Sequence, residues 1–336
     1  MKKVTMRDIG RAAGVSAVTV SKALAGKTGM SDDMRRRIQE IAAEMGYQHP
    51  EGNAVRMKSG LDIGILVSEE YFQPDSFYSM MYRKLVARLS KDGHYGLLEL
   101  VDRTAAEELR LPHLLESRHV DGLILLGQPR KEYFRKISSV GTPLVFLDFY
   151  DEQGYADSVV GDNAYGCYRL TSHLIKNGHR EIGFVGNYHA TGSIMDRYLG
   201  YLRALLLHGL DVHPEWIIDD RDDRNQLTDI RLPEKLPTAF VCNCDVTAVR
   251  LISALEARGM SVPEDISVTG FDDYLMQPSP IPLSTFRVDS DGMVELAVKA
   301  IVERCSGSRK PFGRLIVGGR PVYRQSEIPL NLKEQE

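Results

Sequence analysis

From residue 61 onward the 336-residue chain repeats one pattern, a short solid apolar run followed by a longer amphipathic stretch. Seven such runs stand out, at 63–67, 95–100, 122–126, 144–147, 182–185, 239–242 and 267–271. A strand with one wet face alternates apolar and polar residues, so a strand that is apolar throughout must be covered on both faces. Helices between the strands supply that cover, and the pattern predicts parallel sheets with helices on either side. Seven runs over about 210 residues suit two doubly wound lobes better than one. Ligands of such sheets sit beyond the carboxyl ends of the strands. That rule points to 68–78, Gln128, Asp148, 186–197, 243–245 and 272–273 as the lining of a cleft between the lobes.

The first sixty residues read differently. They carry 11 Lys/Arg against 6 Asp/Glu, whereas the remainder carries 31 against 40. A small basic head therefore precedes a large acidic body, and only the head is suited to phosphate. Thr5 can N-cap a helix over 6–13, with Asp8 as the acidic partner of a capping box. Gly14 ends it, and Ser16 caps a second helix over about 17–24 whose inner face is Val20, Ala23 and Leu24. Ser31 opens a third, reaching Met45, with Met34, Ile38, Ile41 and Met45 as its buried stripe. Two short helices joined by a Gly-containing turn, with a third behind, describe a helix-turn-helix DNA reader or an ordinary three-helix bundle. The outward residues Ser16, Thr19, Ser21 and Lys22 are hydroxyls and a cation, types that bond phosphates and base edges.

The run TMRDIGRAAGVSAVTVSKALAG resembles the N-terminal signature of the LacI/GalR family of transcriptional repressors. The family pattern D-(I/V)-x-x-x-A-G-V-S-x-x-T-V-S is matched at Asp8, Ile9, Ala13, Gly14, Val15, Ser16, Thr19, Val20 and Ser21. The resemblance implies that Ala17, Val18 and Lys22 read bases, with Thr5, Ser16, Thr19 and Ser21 completing the DNA-binding set. Ala17 and Val18 are apolar and suit thymine methyl groups. Lys22 stands where the family usually has Arg, and lysine offers no bidentate fork to guanine. The stretch YQHPEGNAVRMKSG corresponds to the family hinge, with Met57 where a leucine wedges into the minor groove. The match there is imperfect, because Glu51-Gly52 adds a charge and a helix breaker and Val55 replaces the usual arginine.

Further along, VVGDNAYGCYRLTSHLIKNGHREIGFVG, DRYLGYLRAL, VPEDISVTGFDD and IPLSTFRVD resemble segments of the same family. The fold implied is an α helix-turn-helix head plus an α/β body, two doubly wound parallel-sheet lobes of periplasmic-binding-protein type. The head is expected over 1–48, the hinge over 49–60 and the two-lobed ligand-binding and dimerisation body over 61–336. Within the body, the N-lobe takes about 61–160 plus 289–320 and the C-lobe about 161–288 plus 321–336. Carrying ligand positions across nominates Arg197 and Asp272 as effector-binding; Asp148 and Asp245, at the ends of strands, and Phe77, an aromatic in the lining, are further effector-binding candidates. Tyr71, Phe72, Phe77 and Tyr78 could stack on a pyranose ring. Cys244-Asp245 stands where many members have Asn-Asp, and Val288 replaces a polar residue common there.

Cys242-Asn243-Cys244 lacks a second Cys/His pair at zinc-ligand spacing, so no metal is expected. No Walker loop, G-x-S-x-G, H-E-x-x-H or G-x-G-x-x-G motif occurs, so neither catalysis nor a cofactor is expected. The N-terminus has no apolar stretch behind its lysines and no run spans a bilayer, so a cytoplasmic location without membrane contact is expected. The expected function is sequence-specific repression by a homodimer on pseudo-palindromic double-stranded DNA, switched by a small effector, a sugar. Two rivals stay open: a sugar-binding protein without a regulatory role, and a DNA-binding regulator that responds to a protein partner or a purine.

Overall fold

The computed structural model describes residues 4–24, 30–45, 47, 60–74, 76–117, 119–222, 225–275 and 279–330. The chain forms two compact units, Met1–Gly60 and Leu61–Glu336.

In the first unit, α1 (Met6–Ala13), α2 (Ala17–Leu24) and α3 (Asp32–Glu44) enclose a core of Ile9, Val20, Ala23, Ile38 and Ala42. The Asp8 carboxylate accepts from the Thr5 backbone N–H at 2.9 Å and from its hydroxyl at 2.6 Å, fixing the start of α1. Gly14 closes the helix with φ at 70°, a left-handed backbone that costs glycine little. Ser16 Oγ then accepts the Thr19 N–H at 3.1 Å and starts α2. The third helix stops one residue earlier than its apolar spacing suggests. Tyr47 N–H returns to the Ala42 carbonyl at 3.0 Å, which leaves Met45 in the closing turn and buries Ala42 in the stripe. The expected hinge, including Met57, lies outside the described residues up to Gly60.

The second unit begins with β1 (Asp62–Ser68), α4 (Phe77–Lys91), β2 (Tyr95–Val101), α5 (Arg103–Glu107) and α6 (His113–Glu116). It continues through β3 (Gly122–Leu126), α7 (Lys131–Ser138), β4 (Leu144–Leu147) and β5 (Asp157–Gly161). A second lobe follows with α8 (Asn163–Lys176), β6 (Ile182–Val185), α9 (Gly192–Leu207) and β7 (Ile217–Ile218). It is completed by β8 (Ala239–Cys242), α10 (Asp245–Ala257), β9 (Ser267–Thr269) and β10 (Thr285–Val288). The chain then returns as α11 (Ser290–Cys305) and β11 (Arg314–Val317), and crosses once more to β12 (Gly319–Val322).

The first lobe holds a six-stranded sheet in the order β11-β5-β4-β3-β1-β2, and the second a four-stranded sheet in the order β7-β6-β8-β9. Every pairing within them is parallel, with Ile65 opposite Ile124 and Phe184 opposite Val241. Each sheet has a core on both faces. Residues of α4 and α11 pack one side of the first sheet while Tyr133, Phe134 and Ile137 of α7 pack the other. In the second lobe α8 and α9 cover one face and α10 the opposite one. That double cover is why the strands read as unbroken apolar runs.

All seven runs form strands, the last shortened to three residues. From Gly270 the backbone N–H groups leave the sheet: Gly270 bonds the Ser284 carbonyl at 2.8 Å and Asp272 that of Phe286 at 2.9 Å. Beside them, β10 pairs antiparallel with β12, and these two strands form connectors between the lobes. The chain passes from one sheet to the other at 161–163, 288–290 and 317–319.

Candidate functional site

In the head, α2 has a dry and a wet side. Val20 and Ala23 are fully buried, while Val18, Ser21 and Lys22 point to solvent and Ala17 is half-buried beside them. Val18 is 65% exposed. Ser16 and Thr19 are partly committed already, their hydroxyls 2.8 Å apart at the cap, and Thr5 serves α1 in the same way. The outer-face residues that take no part in a cap are therefore Ala17, Val18, Ser21 and Lys22.

In the body, a cavity of about 620 Å³ opens where the carboxyl ends of the two sheets face each other. Arg197 occupies its wall. Its guanidinium donates to Asn163 Oδ1 at 2.8 Å, to the Asn243 carbonyl at 2.6 Å and to Asp272 Oδ1 at 3.1 Å, and lies 4.0 Å over the Phe271 ring. This placement depends on the close approach of α8 and α9, where a Cβ on Gly200 would collide with the Ala164 carbonyl. Asp272 follows β9 and Asp148 follows β4, with φ of 103° and 69°; the Phe286 carbonyl of β10 holds the Asp272 N–H at 2.9 Å and the Val159 carbonyl of β5 holds the Asp148 N–H at 2.8 Å. Tyr78 donates to Asp148 at 2.9 Å. Burial raises the Asp148 carboxyl against the pull of Arg197, and pushes Asp272 up to about 6 although Arg197 opposes it. Each of these carboxylates keeps acceptor capacity beyond the protein bonds named here, and both line the cavity.

A second polar network stands behind the first. Asp220, fully buried, accepts from the Asn187 N–H at 3.0 Å, from Arg221 at 2.8 Å, from Asn243 at 2.8 Å and from Thr247 at 2.6 Å. Burial alone would raise its carboxyl, but the Arg221 charge and these donors win and hold it down to about 2. Arg221 also donates to Asn225, which donates to the Tyr71 hydroxyl at 2.8 Å across the cleft. Two more bonds join the lobes: Gly192 N–H to Gln128 Oε1 at 2.9 Å and Tyr150 to Asp196 at 3.1 Å.

Of the five expected effector residues, Phe77, Asp148, Arg197 and Asp272 line this cavity. Asp245 does not, and this corrects the expectation. Its carboxylate accepts from Thr285 at 2.6 Å and from the Tyr274 N–H at 2.9 Å, behind the wall. There burial, reinforced by Asp272, pushes it up to about 8. Cys244, the N-cap residue of α10, takes the lining position instead. Val288 packs between the cores of the two lobes rather than against the cavity. Among the described residues no cluster of His, Cys, Asp and Glu could hold a metal, and no helix is long and apolar enough to cross a membrane.

Comparison with known proteins decides what such a pairing of head and cavity is. The family model for bacterial regulatory proteins of the lacI family matches residues 5–50, and that for a periplasmic binding protein-like domain matches 171–327. The chain belongs to the LacI family of bacterial regulators. A ribose operon repressor of Haemophilus influenzae is 28% identical over 96% of this chain and 98% of its own. A PurR repressor of Glaesserella parasuis is 26% identical over 89% of each. The solved complex of the regulator CelR with cellobiose aligns with a TM-score of 0.67 at 23% identity, over 96% of this chain and all of that one. A lac repressor dimer bound to operator and an anti-inducer aligns with a TM-score of 0.67 at 21% identity, over 97% and 100%.

This LacI-family regulator is thus a DNA-binding transcriptional repressor controlled by an effector, and its relatives are repressors rather than enzymes. Sequence reasoning missed the Asp220–Arg221–Asn225 hairpin. It follows β7, only two residues long, and its polar residues carry no apolar period to announce them. The one available signal was the alternation of acid and base in DDRDDRNQ.

Proposed function

We propose that the regulator represses transcription as a cytoplasmic homodimer on a pseudo-palindromic operator, and that a sugar in the inter-lobe cavity sets its affinity. The observation that carries the sugar reading is the pair of buried carboxylates, Asp148 and Asp272, flanking Arg197. Fixed acceptors and a fixed donor match hydroxyls that point in different directions, and Phe77 and Tyr71 offer ring faces to the apolar side of a pyranose. A ribose operon repressor among the relatives and a cellobiose complex among the similar structures agree with that chemistry. The dimer reading rests on β2, the edge strand of its sheet, which leaves Tyr95 60% and Leu100 40% exposed. An apolar edge of this kind pairs or aggregates unless a partner covers it. The similar lac repressor structure is a dimer on its operator.

Effector acts here only through unequal affinity for the lobe arrangements that favour and disfavour DNA. Selection from random duplex DNA at near-physiological salt tests the first half of the reading. A palindromic consensus supports it, and retention without consensus that vanishes as salt rises reduces the head to phosphate attraction. Calorimetry with a carbohydrate panel and purine bases tests the second half. Heat from a sugar that also shifts operator affinity is the expected result, whereas binding of a purine alone would reassign the effector class.

A further inference from the structure

Helix α8 has Asn163 at its amino end, bonded to Arg197 in the cavity wall, and a separate cavity of about 260 Å³ beside its carboxyl-terminal half. Arg169, Ser172, His173 and Lys176 of α8 line it, with His208 from the end of α9. Two observations mark it as a binding site. The first is Ser172, which is 7% exposed and whose hydroxyl has no hydrogen-bond partner among the described residues. A serine inside a helix ordinarily returns its hydrogen to the carbonyl four residues back. Its neighbour Thr171 does so, to Cys167 at 2.8 Å, but Ser172 does not.

The second observation is the charge. Arg169 and Lys176 make no ion pair among the described residues, and Arg169 donates to the Tyr165 hydroxyl at 3.2 Å. Among the described residues no carboxylate lines the cavity. Glu327, near it, is taken up by His173 at 3.1 Å and Asn177 at 2.7 Å. Cations in a last helical turn offset the helix dipole, which accounts for Lys176. It does not account for Arg169 two turns earlier, whose hydrogen-bond partners are the neutral hydroxyls of Tyr165 and Tyr323, or for the bare hydroxyl of Ser172.

We propose that this cavity binds a phosphate group, as the free ion or as the monoester of a small metabolite. Donors line the cavity from α8 and from the end of α9, and several separate donors suit a tetrahedral oxyanion better than a planar carboxylate. The volume admits a phosphate with a few carbons and no nucleotide.

Calorimetry on the full-length protein would use inorganic phosphate, with chloride at matched ionic strength as control. Saturable heat with phosphate and none with chloride is expected. Ser172→Ala should melt as the parent does without phosphate, because alanine is the best helix former, yet bind phosphate about tenfold more weakly. Lys176→Gln, exposed and outside both cores, should weaken it at least as much. Glycerol 3-phosphate binding more tightly than the free ion would identify an ester as the ligand, and weaker binding would identify the ion. No saturable heat, or equal affinity in both variants and the parent, would overturn the site, the latter by moving the phosphate elsewhere.

Discussion

The head and the body present polar chemistry by opposite means. In the head the side chains proposed to face DNA fall within seven consecutive positions, 16–22, on the outside of three short helices over a five-residue core. In the body Phe77, Asp148, Arg197, Asp220 and Asp272 come from five separate segments, and the charged ones are tied into buried networks. A face that meets a charged polymer can wait fully hydrated until it binds. A cavity for a small uncharged ligand cannot, since each polar group withdrawn from water needs a partner. Backbone strain follows the same division. Among the described residues the head has positive φ only at Gly14, whereas Asp148, Asn225 and Asp272 all adopt it around the cavity. Function costs conformational energy in the body and almost none in the head.

If this contrast holds, damage should stay on its own side. The largest effect is expected from Arg197→Met, which leaves Asp272 buried without its counter-charge. A loss of about 3–5 kcal/mol in body stability and of all sugar binding is expected, read by thermal unfolding and calorimetry. A variant that binds the sugar as the parent does would remove Arg197 from the site. Ile9→Ala is the mirror image. Ile9 is one of five core residues in the head, and its truncation costs about 2–5 kcal/mol. Operator binding should vanish while the body melts unchanged and still binds the sugar. A matching fall in body stability would show that the two units do not fold independently.

The same contrast explains what the sequence revealed. Ser16 to Lys22 could be read directly because a helix of known phase turns adjacent positions into one surface. The strands of both sheets were legible where both faces are covered, and not where a strand is polar, short or a connector. β5 begins with Asp157, which pairs with Arg304 at 2.7 Å, and β10 and β12 each expose an arginine. At the start of α10 the error lay between neighbours. Either Cys244 or Asp245 had to face the cavity, and only the position of Thr285, forty residues away in sequence, decides that the carboxylate turns inward. Asp220 and Asn225 escaped for a related reason: their partners are contributed by distant segments such as Thr247 and Tyr71.

A smaller change tests the head as a reader rather than an electrostatic patch. Lys22→Ala removes an exposed cation from the outer face of α2. If Lys22 contacts a base, affinity for the selected operator should fall by about 1–3 kcal/mol and preference should relax at one base pair of each half-site. If it contacts only phosphate, binding should weaken equally on all sequences and the salt slope should drop by about one. The second result would leave Val18 and Ala17 as the readers on that helix, with thymine methyl groups as their targets.

The smallest effect is expected at a half-buried bond across the cleft. The Tyr71 hydroxyl donates to the Gln128 carbonyl at 3.0 Å and accepts from Asn225 at 2.8 Å, joining one lobe to the hairpin of the other. Tyr71→Phe deletes both bonds but keeps the ring against Tyr78, 5.4 Å away between centroids. Gln128 and Asn225 are only half-buried, so water can replace the lost partner, and the net cost should be about 1 kcal/mol. That corresponds to about fivefold weaker sugar binding. Operator affinity without sugar should hold, because Gly192–Gln128 and Tyr150–Asp196 still join the lobes of the empty protein. Unaltered sugar affinity would mean that Gln128–Gly192 and Tyr150–Asp196 suffice to hold the lobes together. A change in operator affinity without sugar would mean that this bond also biases the arrangement of the lobes in the empty protein.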